Sequence, residues 1–209
     1  MMLIAGSAIY SCRDQSSVKR QLKTIDTVKQ EIPVDRNGKP VSYYLARAEI
    51  EKRVGISTLK TGYNDLQIRL WYGYPFNDTA QLIVLKETDQ KWSAELYTLK
   101  SNYNVSFDSI LSIDKTVTYG TPSSGWPKFI NSMKKLGIDT LPDYHSIPGY
   151  FLGTDEGAVT VEVATAKGYR IYSYPTPIFR QDEIWQARNM EQILVLIENE
   201  FGFKRLAEL

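Results

Sequence analysis

Three aromatic and β-branched runs, "LQIRLWYGY" from Leu66, "AQLIVLKE" from Ala80 and "WSAELYTLK" from Trp92, follow one another with only "PFNDT" and "TDQK" between them. Runs of this composition favour strands, and the Pro, Asn and Asp between them favour turns, so the segment reads as an antiparallel meander. In the first run Ile68, Leu70 and Tyr72 point one way and Gln67, Arg69 and Trp71 the other. That period of two is the mark of a half-buried sheet. "VSFDSILSID" and "KTVTYG" extend it.

A second strand signal is "GAVTVEVATAKGYRIYSYP", which reads as a hairpin. A three-residue loop, Ala166-Lys167-Gly168, with Gly168 left-handed, pairs Val163 with Ile171 and Glu162 with Tyr172. Val159, Val161, Val163 and Ile171 then share the core face, and Thr160, Glu162, Arg170, Tyr172 and Tyr174 the opposite one.

Three segments carry helical signals. "PVSYYLARAEIEKRVG" places Tyr44, Ala48 and Glu51 on one face, with Gly55 closing the helix. "SSGWPKFINSMKKLGI" sets Trp126, Phe129, Ile130, Met133 and Leu136 in one apolar stripe, with Ser124 as the N-terminal cap, Pro127 in the first turn and Gly137 at the end. A last helix from about Asp182, its expected cap, to Phe201 aligns Ala187, Met190, Leu194 and Ile197 ahead of Gly202. Strands and helices in this order, without β-α-β alternation, indicate an α+β fold: an antiparallel sheet, meander plus C-terminal hairpin, packed by two or three helices. The expected single domain spans residues 41–209.

Charge narrows the partners. Twenty-five Lys and Arg against 24 Asp and Glu leave a net charge of +1, which offers no broad basic field for phosphates, so nucleic acid is not an expected partner. Cys12 is the single cysteine, so neither an internal disulfide nor a thiolate metal cage can form. No run of roughly 18 apolar residues marks a spanning helix.

The opening "LIAGSAIYSC" puts that cysteine behind a short apolar run. Ile9-Tyr10-Ser11-Cys12 resembles the lipobox of bacterial lipoproteins. The resemblance implies that residues 1–11 are a leader, that Cys12 is diacylated and becomes the first residue of the mature chain, and that the chain sits in the cell envelope on a lipid anchor. The polar stretch from Arg13 to Pro40 then reads as a tether over residues 12–40. Two or more acyl chains hold a protein on a bilayer where one does so only marginally. The alternative makes Leu3 to Ile9 an ordinary buried strand and Cys12 a small core residue, as in a cytoplasmic interaction or immunity-type module.

Chemistry-bearing residues are few. His145, the single histidine, lies two residues from Asp143, and with Glu162 these define a hydrolase alternative that requires all three in one pocket. No G-x-S-x-G elbow or glycine-rich phosphate loop accompanies them, and no cofactor is implied. Asp155 and Glu156 sit in a turn-like string with too few oxygen ligands for calcium. Glu162 and Arg170 read as a cross-strand ion pair on a wet sheet face. With 14 tyrosines in the chain, the polar-aromatic face of Glu162, Arg170, Tyr172 and Tyr174 is the expected recognition surface, for a protein or glycan ligand. The leading expectation is therefore a lipid-anchored envelope protein with a binding role.

Overall fold

The alternating runs become the strands of one sheet. In the structure, a computed structural model describing residues 28–73, 78–103, 110–151, 153 and 156–206, these are β2 (Leu66–Gly73), β3 (Thr79–Thr88), β4 (Lys91–Tyr103) and β5 (Ile110–Gly120). The C-terminal hairpin supplies β6 (Ala158–Thr165) and β7 (Gly168–Pro175). A short strand, β1 (Lys29–Glu31), pairs parallel with β7 and completes the seven-stranded order β1-β7-β6-β2-β3-β4-β5. All other neighbouring pairs are antiparallel, so the fold is α+β. Residues 1–27, with the leader and Cys12, lie outside the described residues, as does Asp155. The end of the stretch read as a tether belongs to the fold, because β1 joins the sheet and Val34 bridges Pro40.

The sheet has helices on both faces, so the Glu162 face of the hairpin, which alternation marks as wet, is covered by a helix. One face packs Ile68, Leu70, Ile83, Leu85, Val161 and Tyr172 against α2 (Trp126–Lys135) and α3 (Trp185–Phe201), which contribute Phe129, Met133, Met190 and Leu194. The other lies beneath α1 (Ser42–Val54) and the following loop, with Val54 on Trp71, Leu82, Val84 and Tyr97, and Leu59 on Tyr169 and Ile171. The gap "TDQK" closes as a two-residue hairpin turn in which Asp89 and Gln90 both take positive φ, 50° and 63°, matching the twist of the flanking strands.

The helices differ from expectation at their starts. Gly125 rather than Ser124 precedes α2, and the Ser124 amide donates to the Glu200 carboxylate. Helix α3 begins at Trp185 after Ile184, three residues beyond the expected Asp182 start, with no side-chain cap. Gly55 and Gly202 close α1 and α3 in the left-handed conformation, as the sequence predicts. The buried stripe of α1 is Arg47, Glu51 and Val54, while Ala48 is exposed.

The β6–β7 hairpin corrects the expected recognition surface. Its loop is Ala166-Lys167, with the Thr165 hydroxyl accepting from the Gly168 amide at 3.1 Å, and the pairs are Glu162↔Ile171 and Val161↔Tyr172. A one-residue change of register turns every side chain of β7 to the other face. Glu162 consequently faces α1, whereas Arg170, Tyr172 and Tyr174 face the opposite layer, and no Glu162–Arg170 pair forms. Glu162, Tyr172 and Tyr174 are all buried. The three β7 residues instead fasten the loop after α2: Tyr172 donates to the Ile138 carbonyl at 2.6 Å, Tyr174 to Pro142 at 2.6 Å, and Arg170 to Asp139 and Leu141.

Tyr172→Phe removes the donor but leaves the Ile138 carbonyl in place, and an unpaired buried polar group costs about 1–3 kcal/mol. Urea denaturation is expected to show that loss with an unchanged m-value.

Candidate functional site

The face beneath α1 carries an ionic layer where a hydrophobic one is usual. Register places Arg69 of β2 directly beside Glu162 of β6. Arg47 and Glu51 come down from α1 one turn apart, and all four are at most 5% exposed. Arg69 donates to Glu51 at 2.6 Å and to the Ser57 carbonyl at 2.7 Å. Glu162 accepts from Trp71 Nε1 at 2.6 Å and from the Tyr169 hydroxyl at 2.8 Å. Arg47 lies 4.0 Å from Glu162 and stacks over the Trp71 ring at 4.2 Å from its centroid. Burial, then the neighbouring Glu162, pushes the Glu51 carboxyl above its ordinary range, against the pull of Arg69. Burial pulls the Arg47 guanidinium down, against the support of Glu162. Two cations and two anions balance, yet Arg47 Nε, Arg69 Nε and Glu51 Oε2 have no hydrogen-bond partner among the described residues.

Beyond the C-terminus of α1 the same sheet face is uncovered, and a cleft of about 900 Å³ opens between strands β2–β4 and the loop of residues 55–65. Gln67 of β2 pairs in register with Lys86 of β3, and in the next row Val84 of β3 separates Arg69 from Glu95 of β4. Lys86 reaches Glu95 at 2.7 Å, and Tyr97 donates to the other Glu95 oxygen at 2.6 Å. Burial opposes ionisation there, but the hydrogen bonds from Lys86 and Tyr97 outweigh it and hold the Glu95 carboxyl below its ordinary 4.5. Gln67 is 3% exposed, and its amide makes no hydrogen bond to a described residue. The loop wall is fixed in place: Leu59 is buried, Tyr63 N–H donates to the Thr165 carbonyl at 3.0 Å, and Gly62 has φ 86°. A Cβ at Gly62 would stand 2.8 Å from that same carbonyl, so the close approach needs glycine.

The residues of the hydrolase alternative fall into two separate clusters. His145 Nδ1 is 2.7 Å from Asp143 Oδ1, and Asp143 also accepts from the Tyr43 hydroxyl of α1 and, at 2.8 Å, from the Ser173 N–H of β7. Burial, then Asp143, raises the Tyr43 hydroxyl far above its ordinary range. The nearby Ser146 hydroxyl donates to the Asp143 carbonyl at 2.7 Å. Glu162 belongs to the ionic layer, fully buried and bonded to Trp71 and Tyr169. Asp143 thus joins α1, β7 and the 144–146 turn, which is a structural office. Among the described residues no group of three or more His, Cys, Asp and Glu side chains is arranged to hold a metal.

Sequence reasoning singled out Glu162 but missed Arg47, Glu51, Gln67, Lys86 and Glu95. A signal was present: Tyr43, Arg47 and Glu51 recur at helical spacing, and Gln67 and Arg69 interrupt an apolar strand. Comparison with protein-family models and with curated proteins found no match.

Two outcomes follow from this geometry. Arg69→Met strands Glu51 and is expected to cost about 3–5 kcal/mol in chemical denaturation, most of it recovered by Arg69→Met with Glu51→Leu. The Glu95 carboxyl is lower in the folded state than unfolded, so its contribution is present above pH 4.5 and drains away as pH falls through the folded value. Glu95→Gln is expected to flatten the acid limb of the stability–pH curve relative to the unsubstituted chain.

Proposed function

We propose that this chain is a binding protein of the bacterial envelope, held on a membrane by acyl chains at Cys12, with the cleft beside α1 as the seat of its ligand. The observation that carries the binding role is the cleft itself. Its volume falls within the roughly 300–1,000 Å³ of small-molecule sites, and its polar floor stands on strands β2–β4, beside the part of the sheet that α1 covers. Side chains on strands are held more firmly than those on loops, which suits recognition by preformed geometry. An enzymatic role has less support. The Asp143–His145 pair has the orientation of a base and its positioning carboxylate, but the neighbouring Ser146 hydroxyl is turned to a backbone carbonyl and Glu162 is sealed beneath α1.

The envelope location rests on the lipobox-like run ending at Cys12, and no described helix is long and apolar enough to cross a membrane. Intact-mass measurement on protein from the native host tests that part. A chain beginning at Cys12 with an acyl increment is expected, and a chain retaining Met1 with a free thiol contradicts it. Cys12→Ser is likewise expected to move the protein from the membrane fraction to the soluble one.

A further inference from the structure

We infer that the cleft takes an uncharged, hydroxyl-rich ligand, the chemistry of a short saccharide; this inference rests on the reading of the cleft as a binding site. The charges of its floor are already spoken for. Arg69 is paired with Glu51 at 2.6 Å and Lys86 with Glu95 at 2.7 Å, so an incoming anion meets cations whose charge carboxylates already balance, with the buried Arg69 Nε left unbonded among the described residues. Asp65 and Asp89 stand at the rim, where Asp65 accepts from the Asp89 N–H, and they disfavour anions further.

An apolar ligand fares no better. Ile56, Leu59 and Val84 line part of the cleft, but an amide, two ion pairs and a phenol stand among them, and covering these without replacing their hydrogen bonds to water costs free energy. A ligand that both donates and accepts along its length meets what is there. The Gln67 amide offers a donor and an acceptor side by side, 3% exposed and unbonded among the described residues. Neighbouring hydroxyls of a sugar ring can engage its oxygen and nitrogen together, while the in-register neighbour Lys86 and the Glu95 beyond it present one further donor and acceptor set. At the rim the Tyr63 and Thr88 hydroxyls, 3.1 Å apart, continue the same chemistry and leave the Tyr63 ring half-buried against the site. Gln67 on β2 and Lys86 on β3 are fixed by a continuous ladder of register pairs, so the donor and acceptor positions are set before the ligand arrives.

The test is amide-resolved NMR on the full chain with maltotriose, cellotriose and chitotriose, set beside inorganic phosphate and triglycine. At least one trisaccharide is expected to shift the amides of residues 55–65, Gln67 and Lys86, with phosphate and triglycine inert there. Gln67→Leu is expected to weaken that binding about tenfold or more, the effect of one buried hydrogen bond left unmade. Gln67→Glu, which keeps the size and adds a charge, serves if the leucine variant does not fold, with the same loss expected. Shifts in the cleft from phosphate or triglycine but from no trisaccharide overturn the saccharide inference and leave the cleft as a binding site. Absence of any cleft shift with all five probes overturns both, and trisaccharide binding indifferent to both Gln67 variants overturns the assignment of its floor.

Discussion

Two arginines and two glutamates shut between α1 and the sheet govern how this protein is put together. Removing four charges from water costs several kcal/mol for each ion, and their mutual attraction returns that only when the geometry is right. The layer is therefore better understood as a constraint on arrangement than as a source of stability. Tyr43, Arg47 and Glu51 project from one side of α1 at successive turns and meet Asp143, Glu162 and Arg69. Sliding α1 one turn, about 5.4 Å, toward its C-terminus would set Arg47 on Arg69, and sliding it the other way would set Glu51 on Glu162. Either displacement buries like charges together, so a single position of the helix is tolerated. That position decides where α1 stops and where the uncovered sheet begins.

The opposite layer is built by ordinary means. Helices α2 and α3 present apolar stripes to the sheet, and Phe129 meets both Trp126 and Phe201 edge-on, with Phe129 and Phe201 at 5.2 Å between centroids. Gly120 ends β5 where a Cβ would stand 2.7 Å from the Phe201 ring, so the strand can pass close under the end of α3. Tyr172 and Tyr174 of β7 belong to this layer too, with their rings in the core and their hydroxyls on the carbonyls of the loop that follows α2. Tyrosine suits that double task because one end of its side chain is apolar and the other needs a partner. The sheet thus has one face organised by apolar burial and one in which charge is buried as well, and the cleft of about 900 Å³ opens on the latter.

That contrast explains what could be read from the residues. The meander, the C-terminal hairpin, the stripe of α2 and the α+β class were legible because each rests on a period of apolar side chains. Helix α1 was legible as a helix but not in its orientation, since its inward residues are Arg47 and Glu51 and a hydropathy pattern reads such residues as outward. The recognition face was misplaced by one residue of hairpin loop: Thr165 closes a two-residue turn through its hydroxyl, a local hydrogen bond that alternation does not report. The cleft was invisible, because Gln67 and Lys86 are about twenty residues apart and only the β2–β3 register makes them neighbours. The contribution of β1 was hidden for a related reason: three exposed residues have no pattern of their own, and the open edge of β7 gives them a place.

The contact between α1 and the sheet is a sealed ionic layer, and the carboxyl of Glu51 reports on it most directly. Carbon-13 NMR titration of glutamate-labelled protein, with Glu51 assigned by its loss in Glu51→Gln, measures that group in place. A midpoint above the ordinary 4.5 is expected, because burial and the neighbouring Glu162 together oppose its ionisation more strongly than Arg69 favours it. A midpoint at or below 4.5 would contradict it, because burial and Glu162 would then not outweigh the Arg69 pairing at this carboxylate.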